Sequence, residues 1–116
     1  VQERRGPIAA LIREARAAVG HWEYMDRDCV VPPLVLRGRR AGDRYQPVGA
    51  PGSKALADVL ADAKVPVGER GRAAVLCDRD GPIWLIGQRL GERVKLTPAT
   101  RTVLRVEVRE SDDPAR

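Results

Sequence analysis

Residues 36–64, LRGRRAGDRYQPVGAPGSKALADVLADAK, constrain this chain more than any other stretch. An arginine-studded run leads into a loop carrying Gly42, Pro47, Gly49, Pro51 and Gly52, and the loop leads into a short amphipathic helix. Proline fixes its own φ and glycine takes turns that other residues resist, so this loop is a set of defined turns rather than a linker. Gly42-Asp43 turns the chain at the loop's start. Ser53 is expected to cap the helix, Leu56, Val59, Leu60 and Ala63 form its apolar face, and Pro66 stops it after Lys64.

On the upstream side, Leu34 and Leu36 alternate with Val35, Arg37 and Arg39. That is the period of a half-buried strand with a basic outer face. Residues 21–31 read as an extended segment around Trp22 and Tyr24, closed by a polar turn at 26–28. Before it, Pro7 suits the first position of a helix whose apolar stripe is Ile8, Leu11, Ile12, Ala15 and Val19, with Gly20 to end it. The first six residues are polar and expected to fray.

Downstream, residues 68–72 form a charged turn, with room for one helical turn. Two apolar runs, 73–77 and 83–86, flank Asp80-Gly81 and predict a hairpin, with Trp84 in its core. A polar turn at 87–93, a second at Thr97-Pro98 and a last strand over 102–109 complete the chain. In that strand Leu104, Val106 and Val108 alternate with Arg105, Glu107 and Arg109. The sum is a β-rich α+β single domain of about five or six short strands and one or two helices. The expected division is an N-terminal helix or linker at 1–21, a domain at 22–109 and a disordered tail at 110–116.

At 116 residues the chain can bury a modest core. It carries 21 Lys and Arg against 16 Asp and Glu, a net charge of +5. Charge alone allows either an anionic partner or a solubilising surface. Distribution favours the partner, because Arg37, Arg39, Arg40 and Arg44 fall within eight residues while the acidic cluster Glu110, Asp112 and Asp113 sits at the tail. Arginine suits bidentate phosphate contact. Arg39, Arg40 and Arg44 flank the turn, Lys54 opens the expected helix, and Lys64, Arg70, Arg72 and Arg89 lie in later turns. Asp43 and Glu69 are then structural partners that hold neighbouring arginines. Two Trp, two Tyr and no Phe are too few rings for a single-strand binder, so a duplex read through shape and phosphates fits better. Tyr45 is expected as a half-buried anchor of the loop.

Catalysis finds no residues to work with. His21 is the only histidine, which excludes a nucleophile–base pair on spacing and a Cys/His metal site. Asp58 and Asp62 share one helix face, as solvated carboxylates commonly do. The run Gly49–Lys54 is no Walker loop, since Gly-Lys-Ser/Thr is missing. Ser53 and Lys54 at a helix start would still favour an anion. Cys29 and Cys77 are isolated and read as reduced, partly buried thiols of a cytoplasmic protein. No apolar run approaches a membrane span.

The segments GDRYQPVG (42–49), GSKALADVLADAKVP (52–66), Glu69-Arg70 and IWLIGQRLGERVKLTPATRTVLRV (83–106) follow in order. Together they resemble the C-terminal domain of bacterial tRNA(Ile)-lysidine synthetase, over about residues 22–109. Tyr45 stands where that family usually has Phe, and the stripe from Ile8 to Val19 falls outside its pattern. The resemblance implies a module shared with the β chain of phenylalanyl-tRNA synthetase, which helps to hold the tRNA acceptor stem. It also implies a parent enzyme, an ATP-dependent carbon–nitrogen ligase that joins lysine to the wobble cytidine of an isoleucine tRNA. ATP and lysine belong to a separate N-terminal catalytic domain with an SGGxDS loop, which this sequence lacks. The chain by itself is therefore expected to hold no cofactor or metal and to perform no chemistry.

On this reading Arg39, Arg40, Arg44, Lys54, Lys64, Arg70 and Arg89 grip an A-form stem, while Gly42, Asp43, Pro47, Gly49 and Gly52 shape the loop that aims them. The alternative is a docking module that contacts the catalytic domain, or a second copy as a homodimer, through Ile8, Leu11, Ile12 and Val19. In that case the basic surface only steers RNA.

Overall fold

The computed structural model describes residues 2–4, 7, 8, 10, 11 and 22–109. Its elements, in chain order, are β1 (Gln2–Arg4), β2 (Trp22–Asp26), β3 (Val35–Gly38), β4 (Arg44–Tyr45), β5 (Lys54–Ala55), α1 (Leu56–Asp62), α2 (Val67–Arg70), β6 (Ala74–Asp78), β7 (Gly81–Leu85) and β8 (Val103–Glu107). Single 3-10 turns cover Arg27–Cys29 and Glu92–Val94. The β-rich α+β expectation holds, with more and shorter strands than sequence periodicity separates.

The strands form three antiparallel sheets, ordered β1-β8-β2, β3-β6-β7 and β4-β5. The β3-β6-β7 sheet is the middle layer. On one face Leu76 and Trp84 meet Met25, Leu104 and Val106 of the β2–β8 pair, together with Val30, Leu90 and Val94. On its other face Val75, Cys77 and Leu85 meet Leu56, Val59 and Leu60 of α1, and Tyr45. A third cluster covers the outside of the β1-β8-β2 sheet, where Leu11 packs with Tyr24, Leu96 and Val103. Trp84, Met25, Leu56 and Leu85 are fully buried, and at ~1.5–3 kcal/mol per large apolar side chain such residues supply most of the cohesion.

Several expectations change. Gln2–Arg4 is not frayed, because it pairs with Val103, Leu104 and Arg105 of β8. The stripe beginning at Pro7 starts as a helical turn, its carbonyl accepting from Ala10 and Leu11, while Ile12, Ala15 and Val19 lie outside the described residues. The alternation expected in β3 fails. Val35 and Leu36 are both about half exposed, at 50% and 49%, because the clusters on the two faces of the sheet pack on β6 and β7 and leave β3, at one edge, uncovered. Arg37, assigned to the basic outer face, instead folds back onto Asp43.

The helix also starts later than expected. Lys54 and Ala55 pair with Tyr45 and Arg44, so α1 begins at Leu56 and Ser53 does not cap it. At its other end Val65 donates to the Leu60 carbonyl and Lys64 takes φ +59, a left-handed turn that usually belongs to glycine. The β6–β7 hairpin turns at Asp80-Gly81 as expected, with Gly81 at φ +124. Pro32-Pro33 is a cis peptide bond. Cys77 is buried but Cys29 is exposed, and both are free.

Candidate nucleic-acid interface

The first half of the loop between β4 and β5 is pinned by backbone hydrogen bonds. Val48 N–H donates to Leu90 O (2.8 Å), Glu92 N–H to Gln46 O (2.7 Å) and Ala50 N–H to Pro47 O (2.9 Å). The Gln46 amide donates to Ala50 O (2.8 Å), and the buried Tyr45 hydroxyl to Arg89 O (2.8 Å). Burial pushes the Tyr45 phenol up to about 12. Tyr45 is thus the anchor expected of it, buried rather than half-buried. Gly42 and Gly49 take positive φ values of +88° and +82°, and Pro47 is buried against Gly91. Gly52 differs, since its φ is ordinary and the space around it is open. Nothing at position 52 requires glycine.

Asp43 organises the turn before the loop. Its carboxylate accepts both Arg37 Nη groups (2.8 and 2.9 Å) and the Arg40 N–H (2.7 Å). The Arg37 guanidinium holds its carboxyl below the ordinary range. Glu69 does not match its expected role, because it forms no ion pair among the described residues.

The candidate cations divide by what they bond. Arg39 Nε donates to Arg70 O (3.4 Å), and Arg70 Nε to Val65 O (2.8 Å). Arg44 donates to the hydroxyl (3.1 Å) and carbonyl (3.2 Å) of Ser53, and Arg89 to Val48 O (3.4 Å). Each of these arginines is fixed by a neutral oxygen, so its charge stays uncompensated. Arg40 and Lys64 are exposed and make no ion pair among the described residues. Lys54 departs from the expectation. It forms an ion pair with Asp62 and sits in β5, so no anion site at a helix start exists there. The structure joins Arg39 to Arg70, whereas in the β4–β5 ribbon Arg44 pairs with Ala55 and Lys54 with Tyr45, so Arg44 and Lys54 fall on opposite faces. Arg89 stands apart on the turn after β7.

The residues that tie this surface to the core were not singled out by sequence. Asp78, with a fully buried side chain, accepts both Arg93 Nη groups (2.7 and 2.8 Å), Val31 N–H (3.0 Å) and Asp80 N–H (2.9 Å). The only sequence signal was its place at a hairpin turn. Gly91 lies so close to β7 that a Cβ would stand 2.7 Å from Ile83 O. A cleft of about 360 Å³ opens above it, lined on its polar side by Arg44, Gln46, Ser53, Asp80, Glu92 and Arg93. Among the described residues no group of three or more His, Cys, Asp or Glu could hold a metal ion, and no helix is long and apolar enough to cross a membrane.

Comparison with known proteins places this geometry. The family model described as the TilS substrate C-terminal domain matches residues 34–108. The tRNA(Ile)-lysidine synthase of Dehalococcoides mccartyi is 40% identical over 86 residues, 74% of this chain. That of Symbiobacterium thermophilum is 42% identical over the same share. The chain spans 18% of the length of each relative. A crystal structure of the TILS C-terminal domain superposes with a TM-score of 0.64 at 31% identity, covering 81% of this chain and 75% of that one. An N-terminal fragment of the phenylalanyl-tRNA synthetase β-subunit from Pyrococcus horikoshii shares the fold, with a TM-score of 0.62 at 16% identity over 85% of this chain and 31% of that one.

Proposed function

The chain belongs to the family of the tRNA(Ile)-lysidine synthase C-terminal domain, and from that premise we propose that it holds the acceptor stem of an isoleucine tRNA for a catalytic domain of the same cytoplasmic enzyme. That domain would spend ATP to join lysine to the wobble cytidine. Residues 22–109 are the RNA-holding unit, flanked by 1–21 and by the tail 110–116. One observation carries the reading. Arg39, Arg44, Arg70 and Arg89 are each positioned by a carbonyl or hydroxyl oxygen, whereas Arg37, Lys54, Arg93, Lys95, Arg105 and Arg109 are each ion-paired with a carboxylate, the last two sharing Glu107. A guanidinium tethered through one or two of its five N–H groups keeps the others for phosphate at little further loss of freedom. Arg40 and Lys64 add exposed charge to the same loop and turn.

Docking through the N-terminal stripe is the weaker reading. Leu11 is 5% exposed and packs on the domain's own Tyr24, Leu96 and Val103, so it is unavailable to a partner.

The test is titration with an isoleucine tRNA and with one altered only in its acceptor stem, at two salt concentrations. The intact stem should bind tighter. Replacing Arg39, Arg44 and Arg89 by Ala should flatten the log–log salt dependence by about 2–3, at roughly 0.7–0.9 per phosphate contact. Lys54→Ala should change it by much less, because Asp62 already compensates that charge. Equal binding of both tRNAs would reduce the surface to nonspecific steering, and no binding at low salt would sink the reading.

A further inference from the structure

Val67 is the most exposed large apolar side chain among the described residues, at 77%. Pro66 and Gly68 beside it are exposed too, so Pro66–Val67–Gly68 makes a narrow tip with little side-chain bulk and no charge. A single exposed valine is ordinary. This one is bracketed by charge. Lys64 precedes the tip and Arg70 follows it, three residues from Val67 on either side. On the helical turn α2 that spacing puts Val67 and Arg70 on one face, while Glu69 points roughly 200° around from Val67. Arg39 is tied to the same turn through Arg70 O, and Arg70 through Val65 O. Arg39, Lys64, Arg70 and Arg72 have no carboxylate partner among the described residues.

A small apolar tip between fixed cations matches one kind of surface well. The minor groove of an A-form helix is wide and shallow, displaying base edges and the riboses with their 2′-hydroxyls, with phosphates on both rims. The minor groove of B-form DNA, about 6 Å across, is too narrow to admit such a tip. We propose that the tip Pro66–Val67–Gly68 enters the minor groove of a double-stranded RNA stem, with Val67 against ribose carbons and with Arg70, Arg39 and Lys64 on the flanking phosphates. This rests on the RNA-holding reading above and adds the groove and the element that enters it. The space around Gly68 is open within the protein, so a side chain added there would stand on the outside of the tip, where a close approach to the groove would meet it.

The chain is titrated with an RNA hairpin, a DNA hairpin of the same stem sequence, and anionic phosphatidylglycerol vesicles. A Cβ on Gly68 meets no atom of the fold within 4 Å and its φ is not left-handed, so Gly68→Leu is expected to stay folded while thickening the tip. It should weaken RNA binding about tenfold or more. Val67→Ser should cost about fivefold through lost apolar contact and leave the salt dependence unchanged, whereas Arg70→Ala should flatten it. The RNA hairpin should bind tighter than the DNA. If the wild type binds RNA and both tip variants match it, the groove assignment is overturned and the RNA-holding reading stands. Equal binding of RNA and DNA also overturns the assignment. No RNA binding by the wild type overturns both. Vesicle binding lost in Val67→Ser would give the tip to a lipid surface instead.

Discussion

Asp78→Asn tests whether the fold depends on one buried carboxylate. The substitution keeps the shape and replaces one oxygen by an N–H donor. Both oxygens are in use, each accepting one Arg93 Nη and one backbone N–H, from Val31 or from Asp80. Whichever way the amide sits, one backbone donor and one guanidinium donor would face another donor. Arg93, 41% exposed at its side chain, can turn to water, but the amides of Val31 and Asp80 cannot follow it. One lost bond to a charged acceptor costs about 1.5–3 kcal/mol, and the weakened bonds to the remaining oxygen add to that. A loss of about 3 kcal/mol is a large share of the ~5–15 kcal/mol that holds a small domain folded. Urea unfolding should show it as a lower midpoint at unchanged slope.

The same carboxylate sets part of the acid limit. Burial alone would raise its pKa, but Arg93 and the two amides outweigh burial and hold the carboxyl below its ordinary 3.8. Its stabilisation is therefore whole above about pH 3.8 and is lost as pH falls further. Asp78→Asn should remove that portion of the acid transition. A change under about 1 kcal/mol at neutral pH, with the acid transition intact, would refute the reasoning.

Three further outcomes follow from single contacts. Gly91→Ala should destabilise by about 2 kcal/mol or more in urea, since its Cβ would stand 2.7 Å from a backbone oxygen that cannot yield. Burial pushes the Glu23 carboxyl from 4.5 up to about 7, so its cost is absent below pH 4.5 and grows as pH rises through about 7. Glu23→Gln should raise stability at pH 8 by up to about 3 kcal/mol, from about 1.4 kcal/mol per tenfold in affinity for the proton, and flatten the pH profile between those values. Lys64→Gly should relieve the left-handed strain and raise stability by about 1 kcal/mol, while a binding titration shows weaker RNA affinity.

What the sequence displayed was local. The β6–β7 hairpin, the last strand and the constrained loop were readable because Asp80-Gly81, the alternation around Arg105 and the glycines at 42 and 49 act within a few residues. Misread elements depended on neighbours remote in sequence. Ser53 looked like a cap because a helix followed, but Lys54 and Ala55 paired across the loop with β4, and pairing outweighed capping. Leu36 was assigned inward by its alternation with Arg37, which says nothing of whether the neighbouring layers reach that strand. Gln2–Arg4 looked frayed because polar residues reveal no partner strand 100 residues away.

The site was half legible for a related reason. Charge density around residues 37–44 pointed to this region, yet arginines of the same density have opposite fates there. Arg37 is neutralised by Asp43, six residues on. Arg39 and Arg44 are fastened by a carbonyl and a serine, which leave the charge available. Carbonyl oxygens occur at every residue, so no pattern of side chains can announce that one of them will receive a guanidinium. Whether an arginine is a strut or a ligand contact is decided by the partner oxygen, and only the fold chooses that oxygen. The same holds for Lys54, which opened the expected helix in sequence and in the folded chain serves Asp62. A charge map drawn from sequence therefore overstates such a platform, and subtracting the cations that the fold pairs with carboxylates leaves the surface proposed here for RNA.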